Sequence, residues 1–324
     1  MSILYPLRFR PILRRYLWGG RRLESLGKRL GEGSDYAESW EIVDRSGDQS
    51  VVAAGPLSGV ALGQLVRQCG AALLGRHAGL TQFPLLMKFL DAHDRLSIQV
   101  HPNDEQASLL DPPDLGKTEA WVILAADPGS HLYAGLRPGV TRETFARDLE
   151  RNACPQCVAR IEPAVGDCFF LPAGVVHALG PGLLVAEIQQ ASDTTYRLYD
   201  WERLGSDGRP RPLHVDAALE AIDFDYGPIA PQQPQTTLRP YVERLVSSDK
   251  FVLDRWRLSQ ATAKATAGGD QRCHIVTVLE GAVEIVGDPS GPLERGGVAL
   301  LPAELGPVAI RPLGDVVLLD AYLP

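Results

Sequence analysis

Residues 96–104 of this chain read Leu96-Ser97-Ile98-Gln99-Val100-His101-Pro102-Asn103-Asp104, a short strand-like run that stops at a proline. Alternate side chains of an extended strand share a face, so Gln99 and His101 project together, away from their apolar neighbours. Two side chains able to bind a metal therefore meet in the same space. A lone histidine on such a strand is more often a hydrogen-bonded core residue, so the metal interpretation depends on residues further along the chain.

A second informative stretch runs from residue 165 to residue 179. Its sequence predicts a strand that ends at Leu171, a reversal at Pro172-Ala173-Gly174 and a new strand that opens with His177. A turn of this kind at the rim of a β-barrel places the following histidine at the barrel's mouth. Further strands are predicted at 85–90, 115–124 and 183–189, and short helices at 59–74, 141–152 and 214–222.

Composition and charge are those of an ordinary globular chain. The 324 residues are 45% hydrophobic and 22% charged, with a net charge of -8. Nucleic acid is a poor partner for this charge because phosphate backbones bind clustered lysine and arginine. No apolar run reaches the roughly 18 residues of a membrane-spanning helix and no secretory leader is visible, so we expect no membrane partner and a cytoplasmic location. The five cysteines are an odd number and are expected to be reduced thiols.

A stretch rich in proline and glutamine at 227–240 predicts a connector between two domains, 1–235 and 236–324. The second domain has short strand-like runs separated by glycine turns, which is typical of a barrel or sandwich. Gly166–Ala173 resembles Gly296–Ala303, and the same offset carries His177 onto Pro307. We therefore predict two related β-barrels, of which only the first holds a metal.

Four residues of the first domain form a candidate metal-ligand set. They are Gln99, His101, Glu119 and His177, which offer two imidazoles, a carboxylate and an amide oxygen. This set suits zinc, with iron, manganese or cobalt as competitors, and a catalytic site of this kind leaves a position open for water or substrate. A metal held in this way acts as a Lewis acid on a carbonyl or hydroxyl oxygen.

Four ordered motifs closely resemble the type I mannose-6-phosphate isomerases, with the compact bacterial members as the nearest match. The motifs are Gln99–Asp104, Gly116–Glu119, Pro172–Leu179 and Glu187–Asp200, and Trp18-Gly19-Gly20 and Glu38-Ser39-Trp40 also look like N-terminal signatures of this family. The resemblance is strong over residues 5–220. The chain departs from the long members because it lacks their large helical domain between the barrels.

This resemblance implies a fold, an activity and a cofactor. The fold would be mainly β, with two cupin-type jelly-roll β-barrels and a few short helices. The reaction would be the reversible conversion of mannose 6-phosphate to fructose 6-phosphate, with a small hexose phosphate as the partner. One zinc ion per chain would be bound by the residues that match Gln99, His101, Glu119 and His177.

The same matching implies roles for residues around the metal. The catalytic candidates are Arg197, Lys117 and Glu187, and the candidates for holding the phosphate are Lys88 and Ser97. Apart from the resemblance, Arg211 and His214 are weaker phosphate candidates because they follow closely after the Asp200-Trp201 turn. Aldose–ketose isomerisation needs a base to move a proton between adjacent carbons and a stabiliser for the enediolate, and Glu187 is a possible base. The residues alone also allow two simpler interpretations, a structural salt bridge between Glu187 and Arg197 and a solvated position for Lys88.

Two other functions stay open at this point. A metal cupin that binds a sugar phosphate without turnover would keep the ligands and act as a sensor or regulatory protein. Another metal-dependent cupin enzyme, such as an iron oxygenase, would share the fold, because cupins host many chemistries. Lys117, Arg197 and Glu187 favour the isomerase, since a pure binder has no use for a base.

Overall fold

The structure is a computed structural model that describes residues 4–205, 208–262 and 265–324. The chain is mainly β, as predicted. The strands up to the connector are β1 (Phe9–Arg10), β2 (Ile12–Gly20), β3 (Tyr36–Ile42), β4 (Asp44–Arg45), β5 (Asp48–Gln49), β6 (Val51–Val52), β7 (Leu85–Ala92), β8 (Ile98–Val100), β9 (Glu119–Ala126), β10 (Leu132–Leu136), β11 (Val158–Ile161), β12 (Cys168–Leu171), β13 (His177–Leu179), β14 (Leu183–Gln190) and β15 (Tyr196–Tyr199).

The strands from the connector onward form the second half of the molecule. They are β16 (Gln235–Thr236), β17 (Val242–Ser247), β18 (Val252–Leu258), β19 (Ala265–Gly268), β20 (His274–Glu280), β21 (Ala282–Ile285), β22 (Leu293–Glu294), β23 (Val298–Leu301), β24 (Pro307–Pro312) and β25 (Val316–Tyr322). The α-helices are α1 (Leu62–Leu74), α2 (Asp104–Ser108), α3 (Arg142–Glu150) and α4 (Val215–Ala221). Short 3-10 turns lie at Arg22–Leu26, Gly75–His77, Cys154–Gln156 and Ala303–Leu305.

Two facing sheets make up the first half. A six-stranded sheet has the order β12-β9-β14-β7-β3-β2, and a five-stranded sheet has the order β11-β10-β13-β8-β15. A core that includes Trp121, Val185 and Leu179 fills the space between them. Helices α3 and α4 pack on the outer face of the five-stranded sheet, where Phe145 and Ala218 join one cluster with residues of β8 and β13. The inner faces of both sheets are therefore turned toward each other, and polar side chains placed there converge.

The second half repeats this arrangement. Its sheets have the orders β16-β17-β18-β25-β20-β23 and β19-β24-β21-β22. The order β12-β9-β14-β7 of the first half matches β23-β20-β25-β18 of the second, and β11-β10-β13-β8 matches β22-β21-β24-β19. The repeated segments thus lie at matching sheet edges, in β12 and β23. His177 opens β13 and Pro307 opens the matching strand β24, as the sequence offset predicts.

The two halves pack back to back through their six-stranded sheets. Phe89 and Ala186 on the outer face of one sheet share a core with Ile275 and Leu319 on the outer face of the other, and helix α1 closes this core. The main chain of Leu7 also pairs with that of Leu300 through two hydrogen bonds of 2.8 Å. The division into domains 1–235 and 236–324 remains a prediction, since the largest apolar core draws on both halves.

A buried ion cluster in the second half gives a prediction for stability. His274 is the second half's counterpart of Glu119. It is paired with Tyr322 of β25, as Glu119 of β9 is paired with Gln189 of β14. His274 Nδ1 lies 2.8 Å from Asp320 Oδ1, and Nε2 lies 3.1 Å from Asp270 Oδ1. Burial alone would lower the pKa of His274, but these carboxylates outweigh it and raise the pKa to about 9. The protonated ring therefore stabilises the fold.

Replacing His274 with glutamine is expected to lower the free energy of unfolding by about 3 kcal/mol at pH 6, since the pKa rises from 6.5 to about 9. The stabilisation is complete below the unfolded-state pKa and is lost as the pH rises through about 9, so wild type and variant should converge at higher pH. Urea unfolding at pH 6 and at a pH above about 9 measures this difference. The control is His93→Gln, because His93 is exposed. An equal loss at both pH values would contradict the ion-pair account.

Candidate active site

The predicted site residues converge on one cleft of about 270 Å³ between the two sheets of the first half. The cleft is lined by Tyr16, Trp18, Glu38, Lys88, Leu90, Leu96, Ser97, Gln99, Lys117, Glu119, Trp121, Glu187, Asp193, Thr195, Arg197 and Arg211. His101 and His177 are buried against Glu119 at its floor. Nine of the residues predicted from the sequence, and the weaker candidate Arg211, therefore lie in the cleft or directly beneath it. His214 does not line the cleft, and its Nδ1 accepts a hydrogen bond from the backbone of Arg197.

Sheet register explains why residues distant in sequence meet here. On the five-stranded sheet, Gln99 of β8 is paired with Arg197 of β15 on one side and His177 of β13 on the other. On the six-stranded sheet, Glu187 of β14 is paired with Lys88 of β7 and with Trp121 of β9. Paired residues on neighbouring strands project to the same face, so each sheet presents one row of side chains to the cleft.

His101, Glu119 and His177 form a compact group that could hold a metal ion. One donor atom from each residue lies within 4.8 Å of the others. Nε2 of His177 is 3.3 Å from Glu119 Oε1, and Nε2 of His101 is 3.6 Å from Glu119 Oε2. Each imidazole donates from Nδ1 to a backbone carbonyl, that of Val175 or that of Thr194, at 2.9 Å. Both Nε2 atoms therefore carry a lone pair, and both border the space beside the Glu119 carboxylate.

Gln99 supplies the fourth side chain of the predicted ligand set. Its amide nitrogen Nε2 lies 3.4 Å from Nε2 of His177, and its Oε1 is 3.5 Å from the hydroxyl of Ser97, which donates to it. The position follows from the strand pairing of Gln99 with His177. The amide therefore borders the same space as the two imidazoles and the carboxylate.

The two candidate histidine ligands have the neutral form that a metal ion requires. Burial, and then the positive charge of Lys117, lowers the pKa of His177 to about 4 and that of His101 well below its ordinary value. Both rings are neutral at physiological pH, as metal ligands must be. The Lys117 ammonium lies 2.6 Å from Glu119 Oε2 and 3.0 Å from His101 Nε2. A positive group thus already sits between two of the ligands, and the donor set fits a metal ion.

Beside the ligands, buried acids and bases alternate across the cleft. The ammonium of Lys88 lies 3.3 Å from Glu187 Oε1 and 3.5 Å from Glu38 Oε2. Burial would lower the pKa of Lys88, but Glu187 and Glu38 outweigh it and raise the pKa. Lys88 is therefore a buried cation with two acidic neighbours, and the solvated position left open by the sequence is wrong.

The two carboxylate oxygens of Glu187 have different surroundings. Trp121 donates from Nε1 to Glu187 Oε2 at 2.9 Å, while Oε1 is buried without a hydrogen bond. Lys88 and Lys117 lie 3.3 and 3.8 Å from Oε1. Burial, and then the charge of Glu119, raises the pKa of Glu187. Its ionic partner is Lys88, so the alternative of a structural Glu187–Arg197 pair is wrong.

Two guanidinium groups lie at the mouth of the cleft. Arg197 donates from one terminal nitrogen to the carbonyl of Pro212 at 2.9 Å, and its Nε is buried without a hydrogen-bond partner. Arg211 is held by Asp200, with its Nε 2.8 Å from Oδ2. Burial, and then the repulsion of Arg211, lowers the pKa of Arg197. This paired positive charge suits an anionic group of a ligand.

Several residues of the cleft have no role predicted from the sequence. Glu38 is buried and bonded to Trp40 and Lys88. Tyr16 stacks on Trp18 with the ring centres 5.6 Å apart. Asp193 lies in the loop before β15, and burial raises its pKa. The one sequence signal for these residues is the charge of Glu38, because the rest of the Glu38-Ser39-Trp40 motif is typical of a buried strand.

None of the helices in residues 4–205, 208–262 and 265–324 is long and apolar enough to cross a membrane.

A family model described as phosphomannose isomerase type I, catalytic domain, matches residues 7–121. The chain is 34% identical to mannose-6-phosphate isomerase ManA of Bacillus subtilis (strain 168), over 93% of this chain and 94% of the relative. It is 33% identical to mannose-6-phosphate isomerase of Streptococcus mutans, over 92% of each chain.

The fold also matches a solved structure. The crystal structure of mannose 6-phosphate isomerase from Bacillus subtilis superposes with a TM-score of 0.88 at 28% identity, covering 99% of this chain and 100% of that one. This match confirms the predicted mainly β, cupin-type fold with short helices. The relatives share nearly the full length of the chain, and the site residues predicted from the family motifs meet in one cleft. The chain therefore belongs to the type I mannose-6-phosphate isomerase family.

Proposed function

We propose that this protein is a zinc-dependent mannose-6-phosphate isomerase that interconverts mannose 6-phosphate and fructose 6-phosphate. The observation that carries the proposal is the meeting of the His101–Glu119–His177 group with a second, unligated carboxylate, Glu187, in one cleft. Metal ligands alone would serve a binder, whereas a separate buried base serves proton transfer. The expected cytoplasmic location belongs to this proposal, because a charged hexose phosphate does not cross a bilayer unaided.

We assign the metal to Gln99, His101, Glu119 and His177, with one ion per chain. Neutral imidazoles, a carboxylate and an amide oxygen suit zinc, and the same set accepts iron, manganese or cobalt. When bound, the ion would act as a Lewis acid that stabilises negative charge on the substrate oxygens. The remaining steps fall to the side chains around it.

Glu187 is the proposed base. Its Oε1 removes the proton from C2 of the open-chain aldose, which gives an enediolate, and the same carboxyl group returns the proton to C1 to give the ketose. The hydroxyl proton on O2 moves to O1 over the two steps, so that atoms and charge balance. Trp121 fixes Oε2 and so aims Oε1, while Lys117 and Lys88 supply positive charge beside the developing oxyanion.

The phosphate is assigned to the mouth of the cleft, where Arg197 and Arg211 meet. The guanidinium groups of Arg197 and Arg211 repel each other. A phosphate dianion between them would relieve that repulsion and accept charge-assisted hydrogen bonds from both. Arg197 keeps its proposed place in the catalytic set because it lies in the row that contains Gln99 and His177. Ser97 and Lys88, which the family motifs assign to the phosphate, also line the cleft, and their role in holding the phosphate stays a prediction.

Arg211→Ala is expected to raise KM for mannose 6-phosphate about 10- to 100-fold, with a smaller change in kcat, because a charge-assisted phosphate contact is lost. Inorganic phosphate should inhibit the variant less than the wild type. The matched control is Arg203→Ala, because Arg203 also bonds Asp200, at 2.7 Å, but does not line the cleft. Equal effects from the two substitutions would show that Arg211 acts only through Asp200.

The proposed activity is tested by a coupled assay that follows fructose 6-phosphate formation with zinc-loaded protein. Turnover that is lost on chelation and restored by zinc supports the proposal. A calorimetric titration on the same sample separates the non-catalytic alternative. Tight binding of mannose 6-phosphate without detectable turnover would overturn the enzyme and favour a sugar-phosphate sensor.

A further inference from the structure

The two metal-site histidines are oriented by different kinds of partner. His177 donates from Nδ1 to the carbonyl of Val175, two residues earlier in the same turn. His101 donates from Nδ1 to the carbonyl of Thr194, which is 93 residues away. The orientation of His177 is therefore fixed locally, whereas that of His101 depends on the position of the loop that follows β14.

That loop is held in place by Asp114. The carboxylate accepts a hydrogen bond from the hydroxyl of Thr194 at 2.8 Å and one from the hydroxyl of Ser192 at 3.1 Å, both on Oδ2. Arg45 binds the same carboxylate through two nitrogens, at 2.7 and 3.1 Å, and also donates to the carbonyl of Ala191 at 2.6 Å. The Arg45–Asp114 pair thus ties the loop to two other parts of the chain.

We propose that Asp114 is a positioning residue for the metal ligand His101, acting through the hydroxyl and carbonyl groups of Thr194. The inference rests on the metal site of the proposed function and extends it to a residue that does not line the cleft. A fixed hydrogen bond to Nδ1 sets the tautomer and ring orientation of a metal-bound histidine and increases its basicity. Asp114 secures the residue that provides this bond.

Charge and burial support this role for Asp114. Its side chain is 15% exposed and that of Arg45 is 23% exposed, so the pair is partly shielded from solvent. Burial would raise the pKa of Asp114, but the hydrogen bonds from Arg45 and Thr194 outweigh it and lower the pKa. The carboxylate is thus anionic at neutral pH and accepts all of these bonds at once. Asparagine at this position keeps the shape but lacks the charge and one acceptor group.

The experiment measures zinc affinity by competition with a chromogenic chelator, using the full-length protein. Asp114→Asn is expected to weaken zinc binding about 10- to 100-fold. Thr194→Val removes only the hydroxyl contact and leaves the Arg45–Asp114 pair, so it should weaken binding less while folding normally. The double variant should be no weaker than Asp114→Asn alone, because both changes act through one path.

The control is Asp91→Asn, since Asp91 is buried and accepts a 2.7 Å hydrogen bond from the backbone of Arg22, away from this loop. Wild-type affinity in both Asp114→Asn and Thr194→Val would overturn the inference, as would an equal loss in Asp91→Asn. A wild-type protein that binds no zinc gives a separate result, because it overturns the metal site itself. Cobalt substitution adds a readout, since the visible spectrum should change in Asp114→Asn and not in Asp91→Asn.

Discussion

His177→Ala is expected to remove both metal binding and isomerase activity. His177 is the ligand that links the two sheets of the site, because it pairs with Gln99 and lies 3.3 Å from Glu119 Oε1. Its loss should weaken zinc binding well beyond the roughly 10- to 100-fold caused by removing an outer partner of a metal ligand. Metal content after dialysis and coupled activity are the measurements. His101→Ala should behave in the same way.

The control for this prediction is His131→Ala, because His131 lies in the loop before β10, does not line the cleft, and its ring nitrogen Nδ1 bonds the carbonyl of Gly129 in the same turn at 3.3 Å. That variant should keep its zinc and its activity. Full activity in His177→Ala, or activity without bound metal, would contradict the assignment of His177 as a ligand.

Glu187→Gln is expected to lower kcat by about 10²- to 10⁴-fold, the usual contribution of a positioned base. Glutamine has the same shape and can still accept the hydrogen bond from Trp121, so zinc content and folding should not change. Because burial raises the pKa of Glu187, the wild-type kcat should fall with decreasing pH through a value above the ordinary 4.5. The variant should lack this acid limb, since it has no carboxyl group to protonate at that position.

Glu38→Gln is the matched control, because Glu38 also binds Lys88, at 3.5 Å, but lies on the side of Lys88 away from Glu187. It should lower kcat much less and keep the acid limb. If Glu38→Gln caused the larger loss and Glu187→Gln retained most of its activity, the base would have to be reassigned.

The candidate metal ligands could be placed together from the sequence because their signals are local. Strand alternation puts Gln99 and His101 on one face, and the Pro172-Ala173-Gly174 turn puts His177 at the start of the next strand. The offset repeat also located the second half, because β12 and β23 are edge strands with the same turn after them. Family motifs then added Lys117, Glu187 and Arg197, which line the cleft as expected.

The contacts that sequence reasoning missed depend on strand order. Glu38 meets Lys88 because β3 pairs with β7, and no local pattern predicts that pairing. The partner of Glu187 is Lys88 and not Arg197, because Arg197 lies on the opposite sheet. Strands β17 and β19 also lack a clear local signal. The first follows the proline-rich connector and has a shifted register, and the second is a run of alanine, threonine and glycine with little hydrophobic alternation.

The central claim is that one metal ion in this cleft is required for isomerisation. The most direct measurement is a titration of metal-free protein with zinc, in which bound metal and conversion of mannose 6-phosphate are followed on the same samples. We expect no activity without metal, a linear rise of activity with added zinc and a plateau of activity at one zinc per chain. Full activity in the metal-free protein, or a fully loaded protein that converts no substrate, would contradict it.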